Sequence, residues 1–264
     1  MKDISDKQNF IETDCLSADI LAALFDEAII AVRIREFIDA DTCRVLAKKV
    51  LGKGFHHYEN AAEIGRIGMA FYEAENTPKL LEEYFEGANS RISDLRNRCA
   101  PYVNPIDILR CQLDEHWPAG AHLEKIYGKK MYVGLSRVVE PNVYFLAHHD
   151  YISKDAPDSF QARSVHMQFA ANIYLQLPET GGETEIWDKE LSPQEFDDMR
   201  GSSYGISPDL LGDPDVVVAP KIGDLVIFNS HKMHAVRPSL DVPRLSLSCF
   251  VGYRGDHAPI TYWS

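Results

Sequence analysis

The chain has 264 residues, of which 45% are hydrophobic and 25% charged, proportions typical of a globular protein and not of a disordered or fibrous one. With 40 acidic and 27 basic residues the formal net charge is −13, which argues against nucleic acid or an anionic membrane as a partner and favours small or cationic ligands. No apolar run reaches the roughly 18 residues of a membrane helix, and the polar start lacks a signal sequence, so a cytoplasmic protein is expected.

The N-terminal part, residues 1–130, is predicted to be mostly helical. Apolar residues recur at helical spacing over 43–51, 78–98 and 106–113, behind a short β-like run at 28–34. We expect these helices to form a support region for the rest of the fold.

From residue 131 onward the sequence consists of short runs rich in β-branched and aromatic residues, separated by Pro, Gly and Asp. The runs predict strands over 131–139, 144–148, 169–177, 183–187, 216–218, 224–228, 234–236 and 244–253. Such a succession is typical of an antiparallel sandwich or jelly roll. We therefore expect a single, mainly β domain over 1–264, with a jelly-roll catalytic core at 131–264 packed against the helical part.

An insertion is expected around 190–215. Ser192, Pro193 and Glu195 follow the order of an N-cap, a first-turn proline and a capping-box glutamate, which predicts a short helix. The run 201–205 after it is either a lid over the site or a surface insertion, and we favour the surface insertion.

A pair of metal-ligand residues follows the strand predicted over 144–148. His148 and Asp150 are two residues apart, so on a strand both face the same side and can reach one ion, whereas His149 points away. His149 would replace His148 only if a bulge shifted the register.

The third ligand has two candidates, His231 and His234. Arg244 favours His234, because the turn at 241–243 brings the next strand back antiparallel, so that Arg244 and Ser246 return toward the strand beginning at His234. Two histidines and one carboxylate form the facial triad that holds non-heme Fe(II) and leaves positions open for other ligands. The guanidinium of Arg244 is suited to seat an anionic cosubstrate.

These motifs resemble the Fe(II)- and 2-oxoglutarate-dependent dioxygenase superfamily over roughly residues 131–253. The order and spacing are carried by Glu140-Pro141, His148-His149-Asp150, Gly181-Gly182-Glu183-Thr184, Gly223-Asp224-Leu225-Val226-Ile227-Phe228 and His234-Ala235-Val236-Arg237-Pro238. The run Arg66-Ile67-Gly68-Met69-Ala70-Phe71-Tyr72-Glu73 and the short length are similar to the small enzymes that hydroxylate or halogenate free or N-substituted amino acids.

The resemblance implies a double-stranded β-helix in which His148, Asp150 and His234 bind Fe(II), and in which 2-oxoglutarate and O2 are cosubstrates. Arg244 would hold the far carboxylate of 2-oxoglutarate, with a further hydrogen bond from Ser246. Decarboxylation to succinate would drive hydroxylation of an unactivated carbon in an amino acid or similar small metabolite. Halogenating relatives have Gly or Ala at the position of Asp150, so hydroxylation is expected, with desaturation or cyclisation as alternatives.

Four further side chains are candidates for substrate contact. Arg66 could pair with a substrate carboxylate, although a lone arginine is more often part of a structural ion pair. Asn172 and Tyr174 share one face of a strand and line the site if that face looks into the barrel. Tyr144 shares the parity of His148 on a regular strand, and a core aromatic is the alternative.

Other hypotheses stay open. The loop with Asp155, Asp158 and Arg163 is expected to be a solvated charged loop. The same cofactor chemistry could act on a larger target, such as an alkaloid or a protein side chain, and a non-catalytic jelly-roll module with a structural metal is the alternative from another class. The sequence leaves the oligomeric state open, a homodimer included.

Overall fold

The computed structural model describes residues 9–57 and 64–264, with seven α-helices and sixteen strands in those ranges. The helices are α1 Ala18–Phe25, α2 Ala40–Leu51, α3 Pro78–Cys99, α4 Pro105–His116, α5 Ile152–Asp155, α6 Phe160–Arg163 and α7 Pro193–Arg200, with 3-10 helices at Phe71–Ala74 and Pro208–Leu210. Part of the Arg66-to-Glu73 motif therefore lies in a 3-10 helix.

The strands of the N-terminal part are β1 Phe10–Thr13, β2 Ala31–Ile34, β3 His56–His57, β4 Ile64–Ile67, β5 Ala121–Leu123, β6 Lys125–Ile126 and β7 Lys129–Lys130. Those of the C-terminal part are β8 Leu135–Val139, β9 Phe145–His148, β10 Met167–Gln176, β11 Thr184–Ile186, β12 Val216–Val218, β13 Leu225–Asn229, β14 His234–Val236, β15 Arg244–Tyr253 and β16 Ile260–Trp263. All eight strands predicted beyond residue 130 are confirmed, and β16 was not predicted.

Two facing sheets form the jelly roll. The large sheet has the order β1-β2-β13-β10-β15-β8-β4-β3, with β16 beside β15 and β5 beside β16, and the small sheet has the order β12-β11-β14-β9. The predicted mainly β fold with N-terminal helices is thereby confirmed. Strands such as β13, β10, β15 and β8 pair antiparallel although they are far apart in sequence, as the crossovers of a jelly roll require.

The two faces of the large sheet pack against different parts of the protein. Helices α2, α3 and α4 cover the outer face, where an extensive apolar core includes Leu46, Tyr84 and Leu109. A smaller apolar cluster lies between the two sheets, with Tyr174 of β10 and Ile186 of β11 among its members. The smaller cluster leaves room between the sheets for polar residues.

Side chains cap the N-termini of helices α2 and α7. Asp39 caps α2 by accepting hydrogen bonds from the backbone of Asp41 and Thr42. Ser192 and Glu195 form the predicted capping box of α7. The helix that opens the insertion is therefore confirmed.

The Gly223-Asp224 pair joins the jelly roll to the N-terminal part. Gly223 has φ +92°, and a side chain there would overlap the carbonyl oxygen of Ile38, so a glycine is required. Asp224 is 1% exposed and accepts hydrogen bonds from Arg33 Nε at 2.5 Å, Lys221 N at 2.7 Å and Glu36 N at 3.1 Å. One buried carboxylate thus connects β2, the turn before β13 and the segment that leads to α2.

Replacement of Asp224 by alanine should lower the free energy of unfolding by about 3–5 kcal/mol, because it leaves the buried guanidinium of Arg33 without its main partner. Urea unfolding followed by circular dichroism measures the change. Asp14→Ala is the matched control, since Asp14 pairs with Arg35 at 2.8 Å but its side chain is 79% exposed. A loss of equal size in both variants would contradict a special role for the buried pair.

Candidate active site

The three candidate metal ligands meet between β9 and β14. His148 and His234 are direct partners in the antiparallel pairing of these strands, and Asp150 follows β9 by two residues. One ligand atom from each of the three side chains lies within 4.8 Å of the others, and His234 Nε2 is 3.4 Å from Asp150 Oδ2. The structure therefore brings together the three residues that the sequence singled out.

Backbone carbonyls orient both imidazoles. His148 Nδ1 lies 2.8 Å from the carbonyl oxygen of Leu146, and His234 Nδ1 lies 2.9 Å from that of Lys232. A carbonyl oxygen only accepts, so each Nδ1 carries the proton and each Nε2 is left with its lone pair. A metal-binding histidine commonly donates its other ring N–H in this way.

The charge states of two of these side chains also suit a metal. Burial, and then the neighbouring His234, lowers the pKa of His148 to about 3, so the imidazole is neutral. Burial alone would raise the pKa of Asp150, but its contact with His234 and the neighbouring His148 hold that pKa well below its usual value. A neutral imidazole and an ionised carboxylate are the forms that bind a metal cation.

The two other histidines of this region lie outside the group. The ring of His231 stacks on Tyr151, with centroids 3.9 Å apart, and the backbone N–H of His231 donates to Asn229 Oδ1. His149 is 7% exposed and stacks on Phe196 of α7. The position of His149 agrees with the strand alternation expected from the sequence, and that of His231 agrees with the preference for His234.

A buried cation lies deeper between the sheets. Arg244 is 4% exposed, and its Nη2 donates to the Tyr174 hydroxyl at 3.1 Å and lies 3.4 Å from Thr184 Oγ1. Within residues 9–57 and 64–264 no carboxylate pairs with Arg244, and both Arg244 Nε and the fully buried Ser246 Oγ lack a hydrogen-bond partner. A buried guanidinium requires an anion, and the far carboxylate of 2-oxoglutarate fits this set of donors.

Tyr174 and Asn172 share the inner face of β10 with this site. Tyr174 is the register partner of Ser246, and its ring lies under the guanidinium of Arg244 at 4.8 Å. Tyr174 thus lies at the Arg244 end of the site, and Asn172 is buried two residues away, opposite Ser248.

A β-bulge in β9 changes the position expected for Tyr144. Phe145 pairs with Val236, and His148 pairs with His234, so three steps on β9 match two on β14. Phe145 consequently stacks on His148, with ring centroids 4.8 Å apart, while the Tyr144 hydroxyl donates to Glu185. Tyr144 is not among the described residues that line the cavity at the metal ligands.

Arg66 lies on β4 and has a carboxylate partner. Arg66 Nη2 lies 2.5 Å from Glu73 Oε2, and Nη1 donates to the carbonyl oxygen of Gly68 at 2.6 Å. Both residues line a cavity of about 650 Å³ beside the jelly roll.

A cavity of about 190 Å³ opens over His148 and Asp150. Residues that the sequence reasoning had not placed there form its walls: Tyr72, Arg137, Phe145, Asp155, Phe196 and Tyr204. The sequence contains one sign of the role of Arg137. It is the single charged residue of β8, whose other residues are apolar or small. Phe196 and Tyr204 come from the insertion, so that segment covers the site and is more than a surface insertion.

Comparison with known proteins identifies a family for the C-terminal part of the chain. Residues 133–252 match the family model of the 2OG-Fe(II) oxygenase superfamily. These residues form a 2OG-Fe(II) oxygenase core. The matched region contains the three candidate ligands, Arg244 and Ser246, and the resemblance predicted from the sequence is confirmed. Fe(II), 2-oxoglutarate and O2 are the cofactor and cosubstrates of this core.

Two relatives are similar over larger parts of the chain. An L-gamma-glutamyl-L-propargylglycine hydroxylase of Streptantibioticus cattleyicolor is 30% identical over 151 residues, which are 56% of this chain and 55% of the relative, so the match spans about half of that protein. An N-substituted L-amino acid dioxygenase from Burkholderia ambifaria AMMD superposes with a TM-score of 0.65 at 17% identity, over 94% of this chain and 91% of that one. The same dioxygenase in complex with alpha-KG gives a TM-score of 0.64.

Among the helices of the described chain, none combines the length and apolar character needed to cross a bilayer.

His234→Ala should abolish turnover and weaken Fe(II) binding by more than about a hundredfold, because loss of a ligand should exceed the ten- to hundredfold loss typical of a residue that only supports one. Anaerobic titration with Fe(II) measures the affinity. His231→Ala is the control and should bind Fe(II) nearly as the unmodified protein does, since its ring is stacked on Tyr151. Equal losses in the two variants would refute the assignment of His234.

Arg244→Ala should raise the 2-oxoglutarate concentration for half-maximal rate by about ten- to hundredfold, the range expected for loss of a buried charge-assisted hydrogen bond. Fe(II) affinity should change little. Arg237→Ala serves as the control, because Arg237 pairs with Glu185 at 2.7 Å and has a half-exposed side chain. An unchanged 2-oxoglutarate dependence in Arg244→Ala would show that the cosubstrate is anchored elsewhere.

Proposed function

We propose that this protein is an Fe(II)- and 2-oxoglutarate-dependent oxygenase that hydroxylates an unactivated carbon of a free or N-substituted amino acid or a similar small metabolite. The reaction converts 2-oxoglutarate and O2 to succinate and CO2. His148, Asp150 and His234 are the metal ligands in this proposal, and Arg244 and Ser246 bind the cosubstrate.

One observation carries the proposal. The buried guanidinium of Arg244 and the buried hydroxyl of Ser246 lie between the same sheets as the candidate metal ligands, and neither has an anionic partner in the described residues. A structural metal site has no requirement for a desolvated cation of this kind. A catalytic site that binds a dicarboxylate beside the metal requires such a cation.

The protein's own groups set up the reaction. The carbonyl oxygens of Leu146 and Lys232 hold the two imidazoles so that their Nε2 lone pairs face the metal position. The bound Fe(II) would supply oxidation of a C–H bond by O2 at the expense of 2-oxoglutarate. Phe196 and Tyr204 form part of the cavity wall beside the ligands, where their rings would shield the reacting carbon from water.

The size of the cavity supports a small substrate. Drug-sized ligands occupy pockets of roughly 300–1,000 Å³. The cavity over His148 and Asp150 measures about 190 Å³, which suits an amino acid better than an alkaloid scaffold or a protein segment. Tyr72 also lines the neighbouring cavity of about 650 Å³, whose charged walls include Arg66 and Glu73 and would accommodate a polar substituent.

The relatives support the same substrate class. The bacterial relative is named a hydroxylase of a γ-glutamyl amino acid, and the structural neighbour is named a dioxygenase of N-substituted amino acids. Asp150 supports hydroxylation as the outcome, because a carboxylate there occupies the position that a halide would need.

Anaerobic reconstitution with Fe(II) and 2-oxoglutarate, followed by admission of O2, tests the proposal. Succinate formation should be stimulated by at least one amino acid or N-acyl amino acid, and mass spectrometry should find a product heavier by one oxygen atom. Stimulated succinate formation with a product that has lost two hydrogen atoms would instead indicate desaturation or cyclisation. If no amino acid or N-acyl amino acid leads to succinate formation, that result would count against the proposal.

Asp150→Gly provides the matched variant. It removes the only anionic protein ligand of the proposed set, so Fe(II) binding and hydroxylation should both fall steeply. Halide transfer in high chloride should be inefficient, because it also depends on groups around the ligands. Hydroxylation at the unmodified rate would show that Asp150 is not a ligand, and chlorination by the unmodified protein would overturn the hydroxylase assignment.

A further inference from the structure

The sequence suggested that Asp155 lies in a solvated loop, but in the structure it does not. It is the last residue of α5, is partly buried, and lines the cavity that also contains His148 and Asp150. Helix α5 contacts the 3-10 helix Phe71–Ala74, which brings Tyr72 to the same cavity. The expectation failed because the charged run after the ligands folds into a short helix instead of extending into solvent.

In the described part of the chain the carboxyl group of Asp155 forms no ion pair. The adjacent Lys154 lines the same cavity, but its Nζ lies 3.9 Å from Asp197 Oδ1 and 5.0 Å from the ring centroid of Phe196 and forms no ion pair with Asp155. Burial, and then the charge of Asp150, raises the pKa of Asp155 to about 8. A cationic ligand group beside it would stabilise the ionised form.

Arg137 brings a positive charge to the same cavity. On the inner face of the large sheet it lies between Ser246 of β15 and Arg66 of β4, which are its register partners on either side. Arg137 lines the same cavity as His148 and Asp150, and its positive charge helps to lower the pKa of both.

We propose that Arg137 and Asp155 bind the two charged groups of an amino-acid substrate, Arg137 the carboxylate and Asp155 a free ammonium group. This inference rests on the proposed function and narrows it, because it selects an amino acid with a free ammonium group over an N-acylated one. An acylated nitrogen carries no charge and would not stabilise the ionised form of Asp155. A site built for a charged hydrogen-bonding group discriminates strongly against a ligand that lacks it.

Anaerobic calorimetry with the Fe(II)- and 2-oxoglutarate-loaded protein tests the assignment without turnover. The probes are the twenty common L-amino acids, their N-acetyl derivatives and their carboxamides. The variants are Asp155→Asn and Arg137→Gln, and the control is Asp158→Asn, because Asp158 is exposed and only three residues further along the chain.

The unmodified protein should bind at least one free amino acid about tenfold or more tightly than its N-acetyl form, as expected for one buried charged hydrogen bond. Asp155→Asn should remove most of this preference by weakening the free amino acid alone. Arg137→Gln should remove the preference for the carboxylate over the carboxamide. Asp158→Asn should leave both preferences unchanged, and all variants should keep their affinity for Fe(II).

Four results would overturn the assignment. For the unmodified protein they are tighter binding of the N-acetyl forms and no binding of any probe. For the variants they are equal weakening of free and acetylated amino acids in Asp155→Asn and the same loss of preference in Asp158→Asn. A shift in 2-oxoglutarate affinity with unchanged amino-acid affinity in Arg137→Gln would assign Arg137 to the cosubstrate. That result would overturn the proposal that Arg137 binds the carboxylate of the substrate. The proposed function fails separately, by the absence of succinate from the aerobic reaction. Succinate formation stimulated only by N-acetyl amino acids would uphold the proposed function and overturn the inference.

Discussion

The pairing of β9 with β14 is the interaction on which the site depends. It places His148 directly opposite His234, and the carbonyl oxygens of Leu146 on β9 and of Lys232, just before β14, hold the two rings. Asp150 is fixed just beyond this pair by a hydrogen bond from its backbone N–H to the carbonyl oxygen of Ser230, at 2.8 Å. Backbone groups in and next to the small sheet therefore set the geometry of the three side chains in the protein itself.

The buried charges follow one pattern. Asp224 is surrounded by donors from its own chain and is satisfied, and its role is structural. Arg244 is also buried, but its hydrogen-bond partners in the described residues are hydroxyl groups, and for that reason we propose that a ligand balances its charge. Whether a buried ionic group belongs to the fold or to the reaction can be judged here from the presence of an internal counter-charge.

The sequence predicts the strands of the core well, because each alternates or is bounded by Pro and Gly. It also predicts the ligand group, since His148 and Asp150 are close in sequence and the spacing of Arg244 selects His234. It does not predict the neighbours of these residues. The bulge in β9 exchanges Tyr144 for Phe145 beside His148, and a rule based on regular alternation has no means to anticipate an extra residue.

The sequence also does not predict which side chains from distant segments reach the site. Arg137 reaches the site through register with β15, and Tyr72 reaches it through a 3-10 helix that precedes the core by more than fifty residues. Such contacts depend on strand order and helix packing, which a single sequence does not specify. The same holds for Arg66, whose partner Glu73 is near in space only because the chain turns back on itself between them.

The insertion has a consequence for the small sheet itself. Strand β9 is the last strand of that sheet, and its outer edge is covered by Ile206, which exchanges two backbone hydrogen bonds with Ala147 at 2.8 and 3.0 Å. An uncovered edge strand is a template for pairing with other chains. Residues 201–206 therefore protect the ligand-bearing strand from aggregation while Phe196 and Tyr204 shape the cavity. Changes of substrate preference that arise by remodelling this segment are constrained by the need to keep β9 covered.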